Sequence, residues 1–202
     1  PSLDESPTAE LQVVRSADTC ELSCPGARLA SLHREGRWLH TVDVRSRSGN
    51  WATLHEESGA AGPAFQDLHV ETLGPGCIEV QAMGQASRNI YSCAIRFDAG
   101  LRSIDFDFAA RLRVVSAESV ATAYRLTASL EATVRCSPER LVIGTAAVQL
   151  LTMTPAEPGV ALVLGPRDDD GGCLLTAGHV GWSELKPGRT GVTVRWRLRI
   201  GV

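Results

Sequence analysis

Lysine is almost missing from this chain: Lys186 is the only one in 202 residues, and arginine supplies nearly all the remaining basic charge. Neither sign is in large excess. Twenty Lys and Arg stand against 23 Asp and Glu, a formal charge of −3. That balance gives no field to hold a polyanion, so nucleic acid is not an expected partner. Aromatics are few: four Trp, four Phe and two Tyr. No apolar run approaches the ~18 residues of a membrane-spanning helix, so no membrane insertion is expected. The chain opens at Pro1 rather than Met. An upstream segment is therefore expected, and the lack of an apolar leader says nothing about a precursor.

Metal and cofactor signatures are also missing. Cys20 and Cys24 have a zinc-like separation, but no second Cys or Cys/His pair matches it. "GPGC" at 74–77 and "GPR" at 165–167 lack the glycine spacing and following helix of a phosphate loop. The acids of "RDDDGG" at 167–172 are contiguous, whereas calcium loops alternate theirs, so a solvated hairpin loop is expected there. The expectation is no metal and no cofactor. Six cysteines permit three disulfides in fifteen connectivities, or thiols. A chain of this length does not need the bridges to fold, and an extracytoplasmic place is favoured.

One string invites a catalytic reading. "CLLTAGHV", Cys173–Val180, is similar to the segment around the catalytic histidine of chymotrypsin-like serine proteases. That chemistry also needs an aspartate and a serine, which follow the histidine by many tens of residues in such enzymes. After His179 only 23 residues remain, with no aspartate and only Ser183 as a serine. The string is better read as an apolar strand ending at a turn.

What the chain has in abundance is period-2 alternation. In "SIDFDFAARLRVV", Ile104, Phe106, Phe108, Ala110, Leu112 and Val114 share one face, and Asp105, Asp107, Arg111 and Arg113 share the other. "AYRLTASLEATVRC" and "GVTVRWRLRI" repeat the pattern, the second with Trp196 on its apolar side. Successive strand side chains point to opposite faces, so each stretch makes one dry and one wet surface. Strands are expected near 10–15, 27–33, 37–45, 50–56, 66–73, 76–83, 88–98, 103–115, 121–136, 139–153, 158–164 and 190–200. Gly, Pro and Asp clusters separate them, and no amphipathic helix competes beyond one short turn at Ser116–Val120. The expected fold is all-β: a large antiparallel two-sheet sandwich over 10–202, preceded by a disordered segment at 1–9.

Candidate site residues cluster between 51 and 71. Asp67, His69 and Glu71 alternate and so share one face, with His69 and Glu71 the candidate acid–base pair. His55 closes the preceding strand beside Glu56 and Glu57, and "SGAAGPA" at 58–64 reads as a flexible connection. Trp38 and Trp51 flank a polar hairpin and are the expected exposed aromatics; Trp182 lies in a loop. The candidate ligand-binding set is therefore His55, Asp67, Trp51 and Trp38.

The segment Ile95–Val114, "IRFDAGLRSIDFDFAARLRV", with "AGPAFQDLHVE" before it, resembles the galactose-mutarotase-like supersandwich domains over about residues 60–115. Arg96, Asp98, Gly100, Arg102 and Asp105 fill that family's strand–turn–strand pattern. The resemblance implies work on carbohydrate, with a His and a Glu acting on a sugar. The chain is shorter than full epimerase domains, and no family catalytic residue maps onto it by motif. The leading expectation is a carbohydrate-binding or carbohydrate-processing sandwich. The alternative is a non-catalytic interaction module of a larger surface or envelope assembly.

Overall fold

Alternation of this kind closes only by stacking two dry faces, and that is the arrangement found in the computed structural model, which describes residues 11–57, 65–86, 88–114, 121–180 and 191–202. In chain order the strands are β1 (Gln12–Arg15), β2 (Thr19–Cys24), β3 (Ala27–Arg34), β4 (Arg37–Arg45), β5 (Trp51–Glu56), β6 (Asp67–Gly74), β7 (Cys77–Ala86) and β8 (Asn89–Asp98). They continue as β9 (Ser103–Leu112), β10 (Ala121–Ala128), β11 (Thr133–Ser137), β12 (Arg140–Gly144), β13 (Gln149–Pro155), β14 (Val160–Arg167), β15 (Cys173–His179) and β16 (Val192–Gly201). The segment 1–9, the connection at 58–64, the turn at Ser116–Val120 and Trp182 lie outside the described residues.

Two antiparallel eight-stranded sheets result. The first has the order β1-β2-β3-β4-β5-β10-β15-β14, and the second β11-β12-β13-β16-β9-β8-β7-β6. A meander of five strands fills most of the first sheet, and β6 to β9 then form a meander in the second. The later strands are dealt back and forth between the two. None of the described residues forms a helix long and apolar enough to cross a membrane.

Inward side chains of both sheets make one continuous core. Phe106, Phe108 and Trp196 stack in its centre, with ring centroids 5.7 Å and 5.3 Å apart. Outside the same strands, Asp107 takes both Arg195 and Arg197, and Asp105 takes Arg199. The register that pairs Trp196 with Phe108 also pairs Arg199 with Asp105 and Arg197 with Asp107. One alternation thus builds an aromatic stack inside and an ionic ladder outside.

Two long expected strands are each broken. The 121–136 stretch is β10 in the first sheet and β11 in the second, joined by a turn in which Ala132 donates its N–H to the Ser129 carbonyl. Leu130, which the alternation assigns to the core, sits in that turn fully exposed. The 139–153 stretch breaks after Gly144, where the Thr145 hydroxyl accepts the N–H groups of Ala147 and Val148. There is no room for a side chain at that glycine: a Cβ would stand 2.6 Å from the Val148 carbonyl oxygen. All six cysteines are free thiols, and Cys20 and Cys24 both lie on β2. The open edge of β14 is covered in part, because the Leu162 N–H donates to the Pro138 carbonyl of the facing sheet.

Candidate functional site

The residues expected to act together are divided between opposite surfaces. Asp67, His69 and Glu71 are exposed on β6, an edge strand of the second sheet, and share its outer face as their spacing requires. Across the ladder they meet Met83, Gln81 and Glu79. Glu71 therefore faces another carboxylate, which Arg96 partly neutralises at 3.4 Å. His55 and Trp51 are exposed on β5, on the outer face of the first sheet. The sandwich thickness lies between the two groups, so 51–71 does not form one site.

Trp38 corrects a further expectation. It is 8% exposed and belongs to the core, in phase with Val42 and Val44 on β4. Flanking a polar hairpin does not expose a side chain whose strand phase points inward. His33 packs on it at 5.2 Å, and the Trp38 N–H donates to the Phe65 carbonyl. Trp51, in the opposite phase on β5, is 36% exposed.

Around Trp51 the surface is concave. A groove of about 700 Å³ is lined by Trp51 and Asn50 from the β4–β5 connection, Thr127, Ser129 and Glu131 from the end of β10 and its turn, and Arg167 and Asp170 from the β14–β15 loop. Several of its polar groups are held in place. The Ser129 hydroxyl donates to Asn50 Oδ1 at 3.1 Å, and Asn50 Nδ2 donates to the Ser48 hydroxyl at 3.3 Å. The Ser129 N–H donates to the Trp51 carbonyl. The acidic loop is anchored rather than loose: Arg125 reaches Asp168 at 2.6 Å and Asp170 at 3.5 Å, and Asp168 accepts the Gly172 N–H. A Cβ at Gly172 would stand 3.1 Å from the Arg125 guanidinium, so glycine lets the loop fold against it.

The same outer face continues past Trp51 as a hydrogen-bonded strip. Thr53 donates to Asp43 at 2.7 Å, Arg28 joins Asp43 to Glu21, and His55 Nδ1 lies 2.7 Å from the Thr41 hydroxyl. His55 stands about 13 Å from Trp51, four strand residues away, and borders a separate depression of about 200 Å³ floored by Leu32 and Leu39.

Between the sheets lies an arrangement that the spacing of site-like residues did not reveal. His40 and Glu56 are both fully buried, and Glu56 Oε2 accepts the His40 backbone N–H at 3.0 Å. The imidazole Nε2 is 3.4 Å from the same oxygen, too poorly aligned to hydrogen-bond. Burial drives both groups towards neutrality. It raises the Glu56 carboxyl to about 7, against opposing pulls from the His40 N–H and Arg37, and it lowers His40 to about 4, with Arg37 adding to the shift. Ser31 is the cross-strand partner of His40, and Tyr124 that of Glu56. A polar row thus crosses β3, β4, β5 and β10 inside the core. The signal was in the phase: His40 falls with Trp38 and Val42, and Glu56 with Ala52 and Leu54.

No family model matches the chain, and no curated protein matches it. Among the described residues, no three His, Cys, Asp or Glu side chains converge as a metal centre would require.

Proposed function

We propose that the protein is a carbohydrate-binding β-sandwich module that takes its ligand in the Trp51 groove. The observation that carries this reading is an exposed tryptophan set in one concavity with hydroxyl, amide, carboxylate and guanidinium groups, of which Ser129, Asn50 and Asp170 are held by partners. A pyranose offers the complementary surface: an apolar C–H face for the indole and a rim of hydroxyls for Asn50, Ser129, Glu131 and Arg167. Pre-ordering of Asn50 and Ser129 lowers the entropy lost when a sugar binds. The likeness to mutarotase-type domains points to the same ligand class. The expected acid–base residues His69 and Glu71 stand on an edge strand of the other sheet, away from this groove, so the reading is one of binding.

The test is a glycan array followed by calorimetry on the best hit, with wild type and Trp51→Ala side by side. Saccharide binding that weakens by about five- to tenfold in the variant is expected, since stacking on an aromatic contributes on the order of 1–1.5 kcal/mol. A wild-type chain that binds no glycan in either format overturns the proposal.

A second reading, an interaction module of a larger assembly, rests on β1. This edge strand exposes Val13 at 45% and Val14 at 62% on its two faces, and edge strands with apolar side chains invite pairing with another chain. Light scattering of wild type and Val14→Lys would reveal self-association through this edge.

A further inference from the structure

We infer that the His40–Glu56 pair, seated where β4 and β5 part, is a protonation-gated latch on the crossing of the chain from the first sheet to the second. The inference stands apart from the sugar reading and shares no residue with the groove.

The geometry begins with a split ladder. β4 and β5 are paired from Arg45↔Trp51 up to Thr41↔His55 and no further. Beyond that point β4 stays on β3 as far as Arg34↔Arg37, while the Glu57 N–H turns to the Ala123 carbonyl of β10. The His40 N–H therefore loses the neighbouring strand as a partner, and the Glu56 carboxyl takes it instead. Two residues before His40, Trp38 forms an isolated bridge with Phe65, whose next residue Gln66 already donates its N–H to Met83 of the second sheet. The Phe65 ring also lies 5.7 Å from His40. One carboxyl thus closes the gap beside the point at which the chain changes sheets.

A neutral carboxyl can accept an N–H in this dry place at little cost. A carboxylate there must find water or a cation. Of the groups that face it, His40 and Arg37 come from β4, Tyr124 from β10 and Cys93 from β8 of the opposite sheet, with Asp107 of β9 acting on Cys93 and the uncharged Ser31 contributed by β3. His55 and Glu57 flank Glu56 in sequence, and His33 with Asp18 lies behind Trp38. Burial raises the Cys93 thiol and the Tyr124 phenol well above their ordinary values, so both stay neutral where Glu56 ionises. Arg37 is the cation whose field favours the ionised carboxyl, in the same direction as the His40 N–H. The His40 N–H itself favours the ionised carboxyl, but the cost of burial is larger, so ionisation favours an opened split in which water reaches Glu56 and the His40 N–H is released.

Residue-resolved hydrogen exchange on the full chain tests this. After correction for intrinsic rates, the His40 and Trp38 amides of wild type should lose protection by about tenfold between pH 6 and pH 8, while Phe106 and Trp196 amides hold. In Glu56→Gln, which can still accept the N–H but cannot ionise, protection should not fall over that range, and any change should be a rise as His40 loses its proton in the opened state. Wild-type protection that does not change, that falls equally everywhere, or that falls as much in Glu56→Gln overturns the latch. Infrared titration of wild type decides the matter even if the variant fails to fold. Glu56 is the only fully buried carboxyl among the described residues. A buried-acid carbonyl band that disappears together with His40 protection supports the latch, and one that persists through pH 9 refutes it.

Discussion

Strands β4 and β5 carry nearly the same side chains on both faces, and the two faces put them to different uses. Inward stand Trp38, His40 and Glu56; outward stand Trp51, His55 and Asp43. The inward tryptophan is core and the outward one is a groove wall. The inward histidine and carboxyl are driven neutral by burial, whereas the outward Asp43 holds a guanidinium and a hydroxyl in water. Residue type alone therefore says little here; the phase of the strand decides whether a polar group is a structural constraint or an available contact.

Exchanging each tryptophan for alanine breaks the comparison most sharply. Trp38→Ala empties a core position and frees the Phe65 bridge from its packing, for an expected loss of about 3–5 kcal/mol. That is a large share of the ~5–15 kcal/mol by which such domains are stable. Trp51→Ala should change stability by no more than about 0.5 kcal/mol while affecting the groove. Urea denaturation of both variants measures the difference, and equal losses would erase the distinction between the faces.

The next effect is smaller and depends on pH. The His40 value falls on folding from 6.5 to about 4, so its contribution is present above 6.5 and is lost as pH falls through about 4. The Glu56 value rises from 4.5 to about 7, so its contribution is present below 4.5 and is lost as pH rises through about 7. Between about 4.5 and 6.5 the two slopes oppose each other. The unfolded chain carries one proton on the imidazole, and the folded chain carries one on the carboxyl. Wild-type stability should be nearly flat in that window as far as this pair is concerned. Glu56→Gln leaves the histidine slope alone, so stability should climb with pH by up to about 3 kcal/mol. His40→Asn leaves the carboxyl slope alone and should fall with pH by a similar amount. Chemical denaturation at a series of pH values checks both signs, and parallel profiles for the two variants would contradict the opposition.

How much of this could be read from the linear chain follows from the same two faces. Alternation over Ile104–Leu112 and Val192–Ile200 is long and unbroken, and it placed Phe106, Phe108 and Trp196 inside correctly. The sandwich was legible for that reason. Leu130 went astray because its turn happens to keep the phase of the strands around it, so alternation alone cannot see the break. The polar neighbourhood of Trp38 points outward while its phase with Val42 and Val44 points inward, and the phase is what the fold obeys. The separation of His55 from His69 was not legible at all: alternation assigns a side chain to a face of its strand, but not its strand to a sheet. For the groove, Trp51 could be named from the sequence, but Ser129, Glu131 and Arg167 meet it only through β10 and β14–β15 pairing across distant parts of the chain.

The smallest expected effect belongs to the outward carboxylate. Asp43 accepts Arg28 at 3.0 Å and Thr53 at 2.7 Å with its side chain 26% exposed. Asp43→Asn keeps an oxygen for the threonine but turns a donor toward Arg28, so the charged hydrogen bond to the guanidinium is lost, about 0.5–1 kcal/mol at low salt. Arg28 retains Glu21 at 2.6 Å, which limits the loss further. Raising the ionic strength should shrink the gap between variant and wild type, because water and counter-ions reach this pair. The pH slope of Glu56→Gln should survive the same salt, since neither reaches the buried pair. A urea series at two salt concentrations on both variants separates the cases. If salt flattened the Glu56→Gln slope as readily as it closes the Asp43→Asn gap, the inward pair would be behaving as a solvated one, and the contrast between the faces would fail where it is drawn most finely.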